Sequence, residues 1–214
     1  MIQAVIFDLD GVIVDTAHYH FVAWQRLAHE LGITFTEHDN ERLKGVSRMR
    51  SLEIILEIGG VLLSEEKKEE LATKKNSWFV EYIEAIKPEE VFPGVPQMLQ
   101  QLRAQNYKVA LASSSKNAET VIRLLQIGHL FDAIVDGTMI THTKPDPEIF
   151  LLAAKKLNIA PAHCVVFEDA EAGVEAALAA GMKCVGVGSP AQLGKANFIV
   201  AKTAEFDLGK LRGL

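Results

Sequence analysis

The chain has 214 residues, enough for one large domain or for a core carrying a smaller insert. With 49% hydrophobic and 23% charged residues it can fill a globular core, and none of its apolar runs approaches the length of a membrane span. Acidic residues outnumber Lys and Arg by 28 to 22, and the net charge of −6 argues against a nucleic-acid-binding face.

The first element in chain order is the apolar run Ala4–Phe7, which reads as a buried strand. Asp8 follows at once and Asp10 two residues later, so both carboxylates can share one side of the exiting strand. Like charges that close need a cation, a proton or hydrogen bonds to compensate them. Two readings are open at this point: a solvated turn around Gly11, or a metal-assisted site that uses both acids. From Ala17 to Lys87, roughly 70 residues carry no strand pattern, far more than an ordinary connection. Phe21, Trp24, Leu27, Ala28 and Leu31 recur there at helical spacing, as do Leu71, Trp78, Tyr82, Ile83 and Ile86. The tract "SEEKKEEL" opens the second of these helices, and its charges read as a solvated face. An all-helical insertion directly after the first strand would sit over the strand ends, where open α/β sheets place their active sites.

Pro93–Gly94 then opens a helix through Leu99, Leu102 and Arg103 that ends near Asn106. Four more strand-like runs follow, at Lys108–Ala112, Ala133–Val135, Cys164–Phe167 and Lys183–Val187, with a possible further one at Asn197–Val200. Between them, Asp146 reads as an N-cap with Pro147 at the first position of a helix through Leu157, and Ala170–Ala180 is a helix stopped by Gly181. Such alternation is the signature of a parallel sheet covered by helices. The expected fold is therefore α/β, a Rossmann-like parallel-sheet core of residues 1–15 plus 88–214 with an inserted all-helical cap of residues 16–87. Cys164 and Cys184 fall in strands, and no secretory signal opens the chain, so buried thiols in a reducing, cytoplasmic compartment are expected.

The strand ends carry the chemistry. In "ASSSKN", Ala112–Asn117, Ser113 would leave the second strand as a helix begins, either as a serine N-cap or as part of an anion site. Lys144 stands in "TKPDPEIF", where a lysine taken alone is an ordinary loop residue. "FEDAEAG" puts Glu168 and Asp169 straight after the apolar Val165–Phe167. Four carboxylates, a hydroxyl and an ammonium thus converge on one edge of one sheet. This oxygen-rich set suits Mg²⁺ rather than zinc, because the seven histidines are scattered and the cysteines are buried. A cation, an anion pocket and a carboxylate nucleophile together point to phosphoryl transfer.

"DLDGVIVDT", "ASSSKN", "KPDPEIF" and "FEDAEAG", in this order, resemble the motifs of the haloacid dehalogenase superfamily of phosphotransferases. In the cap, "HFVAW" (His20–Trp24), "KGVSR" (Lys44–Arg48), which reads as a glycine-containing loop with an arginine, and "KKN" (Lys74–Asn76) resemble the sugar-phosphate mutases of that superfamily. The resemblance implies that Asp8 is a nucleophile that becomes an aspartyl phosphate and that Asp10 is the general acid/base. It gives Mg²⁺ to Asp8, the Asp10 main-chain carbonyl, Glu168 and Asp169, and the transferring phosphate to Ser113 and Lys144. The sugar and its second phosphate fall to Ser114, Ser115, Lys116 and Asn117 from the core, and to Gly45, Val46, Ser47, Arg48, Ser51 and Lys75 from the cap. Thr16 is implied as a hinge residue, Trp24 as a wall of the sugar pocket, and His20 as a link between cap closure and Asp10. Each has a plainer alternative: helix capping for Ser115, Lys116 and Asn117, a helix surface for Lys75, core packing for Trp24, a partly buried helix position for His20. Asp15 is expected to support the turn. Two positions depart from the commonest motifs: Ser114 stands where many relatives carry alanine, and Asp146 lies between the two prolines.

The implied reaction moves phosphate between the 1- and 6-positions of β-D-glucose through β-glucose 1,6-bisphosphate, which doubles as activator. The expected protein is a monomer acting on a small sugar phosphate, without nucleic-acid or membrane partners. Two competing functions are a phosphatase of a small sugar phosphate on the same fold and a non-catalytic sugar-phosphate sensor. An intact nucleophile argues against the sensor.

Overall fold

Residues 1–43 and 45–213 are described by the computed structural model; Lys44 of the "KGVSR" motif and Leu214 lie outside them. Among the described residues one sheet contains β1 (Ala4–Phe7), β2 (Lys108–Ala112), β3 (Ala133–Val135), β4 (Cys164–Glu168), β5 (Lys183–Val187) and β6 (Phe198–Val200). All are parallel, in the order β3-β2-β1-β4-β5-β6. The expected strands are present to within a residue, β4 running on to Glu168 and β6 starting at Phe198. The sheet grows from β1 first toward β3 and then toward β6, so the carboxyl end of β1 lies at the topological switch point, where such sheets bind ligands.

Strand alternation separates two apolar layers. Val5, Phe7, Leu111, Val165 and Phe167 face the larger layer, and Ala4, Ile6, Ala110, Ala112 and Val166 face the smaller one. Phe7 and Phe167 are fully buried, with ring centroids 4.8 Å apart. Truncating either to Ala would cost about 3–5 kcal/mol.

Between β1 and β2 come α1 (Ala17–Glu30), α2 (Glu37–Asn40), α3 (Arg48–Gly59), α4 (Glu65–Ile83) and α5 (Val95–Ala104). Then α6 (Ala118–Leu124) follows β2, α7 (Glu148–Leu157) follows β3, α8 (Glu171–Ala179) follows β4 and α9 (Pro190–Leu193) follows β5. In the insertion, Trp24, Leu27 and Ala28 of α1 pack with Leu52 and Ile55 of α3 and with Leu71, Phe79 and Ile83 of α4. Ser64 caps α4 by accepting from Lys67 N–H at 3.3 Å, and Glu65 and Glu66 favour the positive end of the helix dipole. The two connections to the insertion lie side by side: Val14 bridges Val91, and Phe92 N–H donates to Ile13 O at 2.9 Å.

Three local expectations shift. Arg48 opens α3 rather than sitting in a loop, because Ser47 Oγ accepts from Arg50 N–H at 3.2 Å and starts a helix there. The helix at Asp146 begins one residue late: Pro147 is its N-cap, and Asp146 Oδ1 accepts from Glu148 N–H at 2.9 Å. Ser113 does not cap a helix, since α6 starts only at Ala118. No helix among the described residues is long and apolar enough to cross a membrane.

Candidate active site

Phe7 pairs with Leu111 on one side and Phe167 on the other, so the next residue, Asp8, emerges level with Glu168. The main chain holds it there, Asp8 N–H donating to Phe167 O at 2.9 Å. Lys144 arrives from the loop before α7, 2% exposed. Its Nζ donates to Asp8 Oδ1 at 2.5 Å and to Glu168 Oε2 at 2.8 Å. Burial opposes the ammonium, but the two carboxylates outweigh it and push the Lys144 pKa up. For Glu168, at 0% exposure, burial outweighs the attraction of Lys144 and raises the pKa to about 7. Its second oxygen accepts from Ala170 N–H at 3.1 Å. Two glycines make room for the acidic loop. A Cβ on Gly11, whose φ is +74°, would lie 2.2 Å from Asp169 Oδ2, and one on Gly173 would lie 2.0 Å from Glu168 Cδ.

Asp10 N–H donates to Asp8 Oδ2 at 3.0 Å. Its Oδ1 is buried without a protein partner. Burial and then the Asp8 charge push the Asp10 carboxyl up to about 8. Ser113 is buried, its Oγ accepting from Ser115 N–H at 3.2 Å. Asp15 is exposed and accepts from His18 N–H at 3.4 Å, in the first turn of α1.

A cavity of about 640 Å³ opens between this edge and the helical insertion. It is lined by Asp8, Asp10, Ser113, Ser114, Ser115, Lys116, Asn117 and Asp169 from the sheet side, and by His20, Trp24, Gly45, Val46, Ser47, Arg48, Ser51 and Lys75 from the insertion. Three residues singled out from sequence do not line it. Lys144 and Glu168 lie behind Asp8, and Thr16 is fully buried at the start of α1, its hydroxyl without a protein partner.

On the insertion side, Lys75 is 1% exposed, contrary to the surface position its helix alone would suggest. Its Nζ lies 2.7 Å from His20 Nδ1 and 4.5 Å from the centre of the Trp24 ring. His20 stacks on Phe79 at 3.9 Å. Burial, then the charges of Lys75 and Arg48, hold the His20 pKa well below its usual value, and burial, then Arg48, does the same for Lys75. His20 is thus neutral, with Nδ1 paired to Lys75 Nζ. Burial also lowers the Arg48 pKa, and Arg48 forms no ion pair with another described residue. Hydrogen bonds that join the halves include Ser114 Oγ donating to Gly45 O at 3.2 Å and Asn117 Nδ2 donating to Asn76 Oδ1 at 2.9 Å.

Residues 2–181 match the family of haloacid dehalogenase-like hydrolases. The chain belongs to that family. Over 208 residues it is 47% identical to the β-phosphoglucomutase of Bacillus subtilis (strain 168), covering 96% of this chain and 92% of the relative. It is also 38% identical over 184 residues to the phosphorylated carbohydrates phosphatase of Thermotoga maritima, covering 85% of this chain and 82% of the relative. Among solved structures, a β-phosphoglucomutase from Clostridium difficile matches with a TM-score of 0.96 at 45% identity, covering 100% of this chain and 96% of the other.

A metal cofactor fits the acidic edge of this haloacid dehalogenase-like fold. Asp8, Glu168 and Asp169 each offer an oxygen, all within 4.8 Å of one another. Hard carboxylate oxygens in that number suit a small divalent cation. Sequence reasoning missed Ala72 and Ile140 in the cavity wall, and the bond from Asn117 to Asn76. Ala72 stands three residues before Lys75 on α4, a spacing that could have found it; Ile140 and the Asn76 contact had no such signal.

Proposed function

We propose that this chain interconverts β-D-glucose 1-phosphate and β-D-glucose 6-phosphate through enzyme-bound β-glucose 1,6-bisphosphate. The observation that carries the reading is one cavity lined from the sheet side by a nucleophile and its acid, Asp8 and Asp10, and from the insertion by Arg48, a guanidinium that forms no ion pair with another described residue. A hydrolase needs only the two acids, whereas a bisphosphate that reacts from either end also needs a cation for its second phosphate. The extent of similarity to two proteins named as β-phosphoglucomutases supports the same reading.

In the proposed chemistry an oxygen of Asp8 attacks phosphorus, the bond from phosphorus to the sugar oxygen breaks, and that oxygen takes the proton of Asp10. In the opposite half-reaction the other sugar hydroxyl gives its proton to Asp10 and attacks the aspartyl phosphate, freeing Asp8. The upward push of burial and of Asp8 on the Asp10 carboxyl, beside the buried Oδ1 that has no protein partner, supports its part as the acid. Mg²⁺, when held by Asp8, the Asp10 main-chain carbonyl, Glu168 and Asp169, supplies positive charge to the phosphoryl oxygens. Lys144 keeps Asp8 aimed and adds a second positive charge beside it. Ser113 is assigned to the transferring phosphate. Arg48, Ser115, Lys116 and Asn117 are assigned to the distal one, with Gly45, Val46 and Ser47 shaping the loop before α3, Ser51 lining the site from α3, and Ser114 tying that loop to the core. Trp24 walls the sugar, Lys75 lines the cavity beside it, His20 orients Lys75, and Thr16 is assigned to the hinge.

Residues 1–15 plus 88–214 are assigned to the catalytic core and 16–87 to the cap, and the chain is assigned to the cytoplasm as a monomer. A sugar-phosphate phosphatase is the second reading, favoured by the similarity to the Thermotoga maritima protein. Supplying β-glucose 1-phosphate, Mg²⁺ and a catalytic amount of bisphosphate decides between them. Glucose 6-phosphate as product supports the mutase, and stoichiometric free phosphate supports the phosphatase.

A further inference from the structure

Asn76 has no part in the reading above and does not line the cavity. It stands inside the 19-residue helix α4, directly after the buried Lys75. Asparagine is a poor helix former, so helix propensity does not explain it there. Its visible partner is tertiary: Oδ1 accepts from Nδ2 of Asn117, at 2.9 Å and 41 positions away in the chain. Asn117 does line the cavity. Although Asn117 is the N-cap residue of α6, its side chain makes no capping bond, and its main-chain N–H donates to Ser115 Oγ at 3.2 Å. The Asn117 amide is thus left to face across the cleft.

An amide offers donors at its nitrogen end and an acceptor at its oxygen end, and a phosphate dianion can only accept. Presented oxygen-first, the amide would repel the ligand; presented nitrogen-first, it donates. By accepting one N–H of Asn117, Asn76 fixes which end is which and leaves the second N–H for an acceptor. Asn76 also rides on the insertion while Asn117 belongs to the sheet-edge loop, so the orientation exists only when the two are together. We infer that Asn76 is a positioning residue that holds the Asn117 amide nitrogen-first toward the distal phosphate and makes recognition of that phosphate depend on cap closure. This rests on the reading of the cavity as a bisphosphate site.

The test uses the full chain with Mg²⁺ and three variants: Asn76→Ala, Asn117→Ala and the double variant. Asn76→Ala is expected to raise KM for β-glucose 1,6-bisphosphate roughly tenfold, the scale of one hydrogen bond to a charged group. Hydrolysis of acetyl phosphate, which has no distal phosphate, should change far less, and the thermal midpoint should hold or rise because alanine is the better helix former. The double variant should bind bisphosphate no worse than Asn117→Ala alone, since Asn76 acts through Asn117. Losses that multiply in the double variant, or a parallel fall in both assays, would overturn the inference. So would an unchanged KM in Asn76→Ala beside a raised one in Asn117→Ala. An unchanged KM in Asn117→Ala would instead remove the assignment of Asn117 to the distal phosphate, and the role of Asn76 with it.

Discussion

At the sheet edge, Lys144 gives its ammonium protons to Asp8 and Glu168, and each of those acids has at least one further donor, from Asp10 N–H and Ala170 N–H. Across the cavity, Arg48 meets no described carboxylate within ion-pair distance and Lys75 hydrogen-bonds to an uncharged imidazole. The buried Asp8–Lys144–Glu168 trio is therefore hydrogen-bonded within the protein and leaves an acidic edge suited to a cation, whereas the insertion holds positive charge that a ligand must complete. Buried charge without a partner is costly, so the insertion is arranged to gain most when an anion arrives. The sheet edge is built to do chemistry and the insertion to choose what reaches it.

The comparison breaks most decisively at Asp8. Asp8→Asn keeps an acceptor for Lys144 but loses the nucleophile, and phosphoryl transfer should fall by roughly three orders of magnitude or more in a steady-state assay. Wild-type turnover in that variant would move the chemistry elsewhere. Chelating divalent metal should likewise abolish turnover, and added Mg²⁺ should restore it; full activity in chelator would remove the cation from the account.

Lys144→Met tests whether the compensation is real. It leaves Asp8 and Glu168 buried together without their cation, at a cost of about 3–5 kcal/mol in denaturant unfolding measured in chelator. A loss under about 1 kcal/mol, the scale of an exposed pair, would mean that the edge is wetter than the geometry implies.

Arg48→Ala tests the other half. Mutase kcat/KM should drop by the equivalent of roughly 2–5 kcal/mol, with a smaller loss for acetyl phosphate hydrolysis, and Arg48→Lys should rescue only in part because it lacks the planar fork. Equal losses in both assays would make Arg48 a support of the fold or of the core chemistry.

The smallest effect concerns His20. Its folded pKa lies below the ordinary 6.5, through burial and then the charges of Lys75 and Arg48. Below about pH 6.5 the unfolded chain binds a proton that the folded chain refuses, so stability falls with pH by at most about 1.4 kcal/mol per unit until the folded pKa is reached. His20→Gln removes that contribution, and its unfolding free energy should decline less steeply between about pH 7 and pH 5 than that of the wild type. Parallel curves would mean that His20 titrates in the folded chain as it does in the unfolded one.

The two halves also differed in how far the sequence revealed them. Strand-end residues were legible because a parallel strand delivers its next residue to the sheet edge by register, and Asp8, Ser113 and Glu168 follow that rule. Lys144 needed its tertiary neighbours to become more than a loop lysine. In the insertion, α3 was hidden because its start depends on one serine cap, and Arg48 accordingly read as a loop residue. The pairing of His20 with Lys75 joins residues 55 apart on two helices, which helical periodicity within either one cannot show. The Asn76–Asn117 contact is of the same kind.

The central claim is that the phosphoryl group leaving the bisphosphate passes through Asp8 to a second sugar oxygen rather than to water. Following the label from β-glucose 1,6-bisphosphate carrying ³²P in both phosphates, with excess unlabelled β-glucose 1-phosphate and Mg²⁺, tests it directly. The account predicts label in the regenerated bisphosphate and in glucose 6-phosphate, with inorganic phosphate forming far more slowly than β-glucose 1-phosphate is consumed. Label appearing as inorganic phosphate at the rate of substrate consumption would contradict it.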